Sequence, residues 1–270
     1  MKTQHWRRHA ITVAMAATSI CFSGASLSQD TTAPNESQQL ATEMLSGMTN
    51  YLAGLPGFQV QLVASYDTVQ ESGQKIEFNE IRAITVSRPN LLRVEQQFSD
   101  GAQDLLVFDG QQINVYDSQL GVYAQAPQPG SVDDAVVYFV RDLGMRLPLA
   151  AMLSTRLPEE LSKRMKSVDY VEYTTILGTG AHHIAARGAT VDMQVWIADG
   201  DRPLPLRIVL TYKTDPGQPQ FRAQFLAWDE KSRAPADFFK FSPPAGAQKI
   251  IFAVQGPAAA PEAAPTGSLP

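Results

Sequence analysis

The chain is nearly free of cysteine: Cys21 is the only one in 270 residues. A disulfide-held scaffold is therefore excluded, as is any site built on a Cys-x-x-Cys pair. Histidine is scarce too, with four residues, of which His5 and His9 stand near the N-terminus. Charges or prolines break every apolar run before the roughly 20 residues that a helical membrane span needs. Basic charge is in short supply. Without Lys2, Arg7 and Arg8 the chain carries 19 basic and 27 acidic residues, a net charge near −8. That balance opposes non-specific nucleic-acid binding, which depends on neutralising phosphates. Catalytic signatures are missing as well. There is no Gly-x-Ser-x-Gly elbow. Gly178-Thr179-Gly180 lacks the remaining spacing of a phosphate loop and reads as a tight turn.

The two ends do not read as folded. Residues 1–28 have the form of a secretory signal: Lys2, Arg7 and Arg8, then an uncharged apolar stretch from Ile11 to Ala25, then small residues around Ser26-Leu27-Ser28. Cys21 is expected to leave with that signal, because Ile20 is too bulky for a lipid-attachment site. Residues 29–35 read as a polar linker. Residues 256–270 form an Ala/Pro tail with one charge, Glu262, and too little apolar surface to order itself. The remaining stretch, 36–255, is long enough for one ordinary core.

Within it the hydrophobic period changes twice. Leu40, Met44, Leu45, Met48, Tyr51 and Leu52 follow helical spacing over 36–54, and Gly54 stops the helix. From Phe58 the period becomes two. Short strands follow, over Ile76–Val86, Leu91–Phe98, Asp104–Phe108, Gln112–Asp117 and Val122–Ala126, joined by turns such as Asp109-Gly110. Residues 127–166 interrupt this meander as a helical insert. Ser131 serves as N-cap with Asp133 and Asp134 behind it. A second short helix runs from Leu147 to Leu153, and Pro158-Glu159-Glu160 opens a third. Strands then resume over Asp169–Leu177, His182–Arg187, Thr190–Ala198, Leu206–Lys213, Gln220–Trp228 and Phe239–Phe241. Pro203 and Pro205 cannot donate to a ladder and belong in a turn or at a strand's start.

Few residues here point to chemistry. His182 and His183 are neighbours on a strand, so they face opposite sides and cannot chelate one metal. Asp133-Asp134 and Glu159-Glu160 are paired carboxylates, but each pair falls in a first helical turn, where the dipole accounts for it. The expectation is no enzyme, no cofactor and no metal.

One segment carries a resemblance. Trp196-Ile197, then Asp201-Arg202-Pro203-Leu204-Pro205, then Thr211-Tyr212-Lys213-Thr214 resembles the signature hairpin of the periplasmic lipoprotein-carrier superfamily of LolA, LolB, LppX-type proteins and the sensor RseB. The likeness extends to a family of predicted periplasmic proteins within it, through Arg88-Pro89-Asn90 with Leu92-Arg93, Phe108-Asp109-Gly110, Tyr116-Asp117 with Tyr123, Pro148-Leu149 and Phe241-Ser242-Pro243-Pro244. It covers about 36–252. It implies a mainly β (α+β) fold: an unclosed antiparallel half-barrel of about eleven strands around a helical plug.

A half-open barrel has a hollow that its own helices or an apolar guest must fill. Alternation places Phe58, Val60, Leu62 and Tyr66 on that hollow, with Phe78, Leu92, Val94, Leu106 and Phe108 from the next strands. Val195, Ile197, Ile208 and Leu210 are expected to line the other wing, and Phe139 and Met152 to face them from the insert. The resemblance thus implies a periplasmic, non-enzymatic module. It would bind a lipid, an acyl chain or a lipidated protein, or act as an RseB-like regulator on an envelope membrane protein.

Overall fold

The structure is a computed structural model that describes residues 35–142, 147–231 and 233–252. The expected signal, most of the expected linker, the Ala/Pro stretch from 253 and the insert positions 143–146 lie outside the described residues. The helices are α1 (Glu36–Gly54), α2 (Val132–Val137) and α3 (Leu157–Arg164). The strands before the insert are β1 (Gly57–Val69), β2 (Lys75–Ser87), β3 (Leu91–Phe98), β4 (Gln103–Phe108), β5 (Gln112–Asp117) and β6 (Val122–Pro127). Those after it are β7 (Met165–Ile176), β8 (Thr179–Gly188), β9 (Val191–Ala198), β10 (Pro205–Tyr212), β11 (Gln220–Asp229) and β12 (Gln248–Ile250).

All twelve strands join one sheet in the order β12-β6-β5-β4-β3-β2-β1-β11-β10-β9-β8-β7. Pairing is antiparallel except for β12, which runs parallel to β6. The end strands β7 and β12 do not pair with each other, so the curled sheet stays open. Register shifts at Gln61/Leu62, Pro205/Arg207 and Tyr170/Glu172 mark the irregularities that bend and twist a sheet.

The described residues give twelve strands, in line with the expected eleven or so; Gln248–Ile250 is an edge strand of only three residues, all exposed. Two expectations need correction. Phe239–Phe241 is not a strand: Ala236–Phe239 is a 3-10 turn that buries Phe239. In the insert, the first helix stays α-helical only to Val137 and continues as a π-helical turn, Tyr138–Asp142. The stretch before Leu153 is a 3-10 turn, Ala150–Leu153, entered through Leu149 at φ 70.

Local chemistry explains the helix that fills the hollow. Asn35 and Gln38 form a capping box: the Gln38 amide donates to Asn35 Oδ1 (2.8 Å), and the Asn35 amide donates to Gln38 Oε1 (3.2 Å). Ala41, Leu45, Met48 and Leu52 then make one buried stripe. The other end is held by Arg88 at the end of β2. Its guanidinium donates to the carbonyls of Leu55 (3.0 Å) and Leu52 (3.5 Å), and also to that of Leu153 (2.5 Å) in the insert. One half-buried cation thus satisfies carbonyls from both helical pieces, where the helix dipole favours positive charge. Burial pushes the Arg88 guanidinium below its ordinary value, and Asp133 opposes this.

Helices cover one face; the C-terminal segment covers part of the other. Phe239, 1% exposed, lies on the convex side, where Val107 and Asn114 are also fully buried. Arg93 on β3 donates to the Phe238 carbonyl (3.2 Å) and stacks over the Phe238 ring at 4.7 Å.

Candidate functional site

Residues directly opposite in a ladder share a face, so the register decides which side chains meet in the hollow. Across β1 to β5 the rows run Phe58–Val86–Leu92–Phe108–Ile113 and Val60–Ile84–Val94–Leu106–Val115. Across the other wing, Ala64 faces Ala223, Ala223 faces Ile208, Ile208 faces Val195 and Val195 faces Ile184. Every strand residue expected to line the hollow has this phase, Tyr66, Phe78, Ile197 and Leu210 included.

Burial divides these residues into two groups. Phe58, Val60, Leu62, Leu92, Phe108, Val195, Ile197 and Ile208 are buried, as are Phe139 and Met152 from the insert. All ten belong to a single core under α1 and the insert. Tyr66, Val94, Leu106 and Leu210 are only partly buried against that core, and Phe78 is 41% exposed. Tyr66 and Phe78 stack at 5.9 Å on the projecting part of the β1–β2 hairpin. That part extends beyond the ladders to β3, which end at Glu80, and to β11, which end at Tyr66. An apolar lip therefore stands at the uncovered end of the hollow, continuous with the core beneath it.

The hollow also holds a polar row around Arg82, in which Glu80, Gln96 and Asp104 do not stand out in the sequence. Leu62 faces Arg82, Arg82 faces Gln96 and Gln96 faces Asp104. Glu80, 3% exposed, points the same way from the next position in phase. The Glu80 carboxylate pairs with the Arg82 guanidinium and accepts from the Gln96 amide. Burial raises the Asp104 carboxyl above the usual carboxylate range. The signal was present in β2: in the phase Ile76, Phe78, Glu80, Arg82, Ile84, Val86, two charged residues interrupt an apolar set.

The two histidines lie within β8, on opposite faces. His182 sits between Tyr170 and Tyr173 and contacts Asp199 through Nε2 at 3.3 Å. His183 is on the convex face, stacked on Trp196 with centroids 4.0 Å apart, its Nε2 3.1 Å from Gln194 Oε1. Asp133 and Asp134 act in the first turn of α2, where Asp134 completes a capping box with Ser131. Glu159 and Glu160 pair with Lys163 and Arg164 one turn on. Among the described residues, no three metal-ligating side chains converge, and no helix is long and apolar enough to cross a membrane.

A sequence-family profile described as "Predicted periplasmic protein (DUF2092)" matches residues 41–253. No curated protein matches the chain in sequence. Solved structures with some likeness include the lipoprotein LppX of Mycobacterium tuberculosis: 12% identity, TM-score 0.47, covering 73% of this chain and 99% of that one. The MucA/MucB complex of Pseudomonas aeruginosa gives 16% identity and a TM-score of 0.40, covering 75% and 61%. A LolA superfamily protein of Nitrosomonas europaea gives 9% and 0.38, covering 74% and 97%. At such values the fold stands on the strand pairings themselves.

Proposed function

The chain belongs to the predicted periplasmic protein family DUF2092, and from that premise we propose that it is a non-enzymatic periplasmic module that binds an apolar chain at the open end of its hollow. The guest is a lipid, an acyl chain or the lipid of an acylated protein. The observation that carries this reading is the lip. Phe78 stands exposed beside the partly buried Tyr66 at the end of the hollow, and Val94, Leu106 and Leu210 are only partly covered against the core. Burying about 12 methylenes there would contribute roughly 10 kcal/mol gross, against association costs of about 4–15 kcal/mol. Measurable binding therefore requires a preformed seat. Native mass spectrometry of the mature protein purified from the periplasm tests the reading. Co-purified lipid adducts are expected. A bare chain that also takes up no added amphiphile would rule it out.

A second reading has its own observation. The terminal strand β7 exposes Val171 (50%) at its register shift and Tyr173 (57%) beyond it, with Leu177 just past its end. A free, apolar edge is a template for strand addition by a protein partner. This is the regulatory alternative: contact with an envelope membrane protein through the sheet rather than the hollow.

A further inference from the structure

The hollow contains something that an apolar seat does not require. The side chains of Glu80 and Arg82 are 1% and 13% exposed. Two of their atoms, Glu80 Oε1 and Arg82 Nε, are buried without any hydrogen bond, although Oε1 is in ion-pair contact with Arg82 Nη2. The cluster is otherwise well held. Glu80 Oε2 accepts from Gln96, and the Arg82 guanidinium lies 5.5 Å from the centre of the Phe221 ring. Glu80 is opposite Ala64, and Ala64 is opposite Ala223, so small side chains flank the row. One step further out in the same phase is the exposed Tyr66–Phe78 lip. Buried polar atoms in folded proteins nearly always have partners; Arg82 Nε has none, and Glu80 Oε1, engaged only by its ion pair, has a lone pair to spare, so a group that both accepts and donates would complete the pair.

Building on the hydrophobic-ligand reading, we propose that Glu80, Arg82 and Gln96 seat the polar head of the bound amphiphile. They select an uncharged head that both donates and accepts, a hydroxyl or an amide, over a free carboxylate or phosphate. The head's oxygen accepts from Arg82 Nε and its O–H or N–H donates to Glu80 Oε1. Glu80 and Arg82 already neutralise each other. An anionic head would set a second negative charge beside the desolvated Glu80 carboxylate, where like charges repel far more than in water.

The test is calorimetric titration of the mature protein at pH 7.5, below micelle formation, with monomyristoylglycerol, N-myristoylglycinamide and myristate. The two neutral amphiphiles are expected to bind at least about tenfold more tightly than myristate, the scale of a charge-assisted hydrogen bond. A preference for only one of them also supports the assignment and tells hydroxyl from amide. In Glu80→Gln the guanidinium loses its partner, and myristate is expected to gain about tenfold while the neutral heads change little. If Glu80→Gln does not fold, the wild-type ranking stands as the test, with Gln96→Leu as a second variant. Equal binding of all three overturns the head-group assignment and leaves the hydrophobic reading intact. Binding of none overturns both.

Discussion

Arg88 shows how much one side chain can organise. Its guanidinium ties the end of α1 and the insert's 3-10 turn to the end of β2. Arg88→Met should leave those carbonyls without their donor at a cost of about 2–4 kcal/mol. Arg88→Lys should recover only part, since an ammonium does not reproduce the planar fork. Urea unfolding of the three proteins checks both expectations. His183 gives a pH prediction. Burial holds its imidazole below the ordinary value of about 6.5, an effect that the hydrogen bond with Gln194 and the nearby Glu172 only partly offset. A depressed folded value means that protons bind the unfolded chain more readily. Stability is therefore full above about pH 6.5 and falls as the pH drops from there towards the folded value. The His183→Gln variant should lose that component, seen as a flatter melting temperature between pH 7 and pH 5. Equal slopes for variant and wild type would contradict it.

The elements differ in how plainly the sequence announced them. Helix α1 was legible to its end residues, because an apolar stripe at helical spacing and a terminating glycine agree; its Asn35 cap, placed in the linker by composition, was not. Strands β3 and β5 were legible for the same reason: alternation bounded by turn residues. β12 was not, since three exposed residues carry no period. Phe239–Phe241 looked like a strand because aromatic residues favour both strands and any apolar seat. The choice was made by packing against the convex face, which local pattern does not record. That packing predicts a phenotype. Phe239→Ala should cost about 3–5 kcal/mol if the segment unfolds with the rest. If the segment detaches alone, limited proteolysis should cut near 233–247 while the remaining domain stays resistant. The two outcomes separate a strap from an integral part of the core.

At the scale of the whole molecule, alternation was enough to place every strand residue of the expected lining on one face, yet it could not say which of them are core. That depends on where α1 and the insert come to rest over the sheet, and helix placement is a tertiary outcome with no local signature. Glu80 was lost for a related reason: Arg82 stood out by position as a basic residue near the mouth of the hollow, but nothing local says that a carboxylate two residues before it is buried by the curl of the sheet. The split between core and lip can be tested by paired substitutions. Leu62→Ala, at a fully buried position, should destabilise the fold by about 2–5 kcal/mol. Phe78→Ser, on the exposed lip, should leave stability within about 0.5–1 kcal/mol, because it removes only a partly exposed ring stacked on Tyr66. If the open end of the hollow is the seat, Phe78→Ser should nonetheless weaken amphiphile binding by roughly tenfold, the worth of the apolar area lost there. Thermal melts and titrations on the same preparations decide the matter. A Phe78→Ser protein that melts normally and binds normally would place any apolar guest away from the lip, and with it away from the Glu80–Arg82 pair.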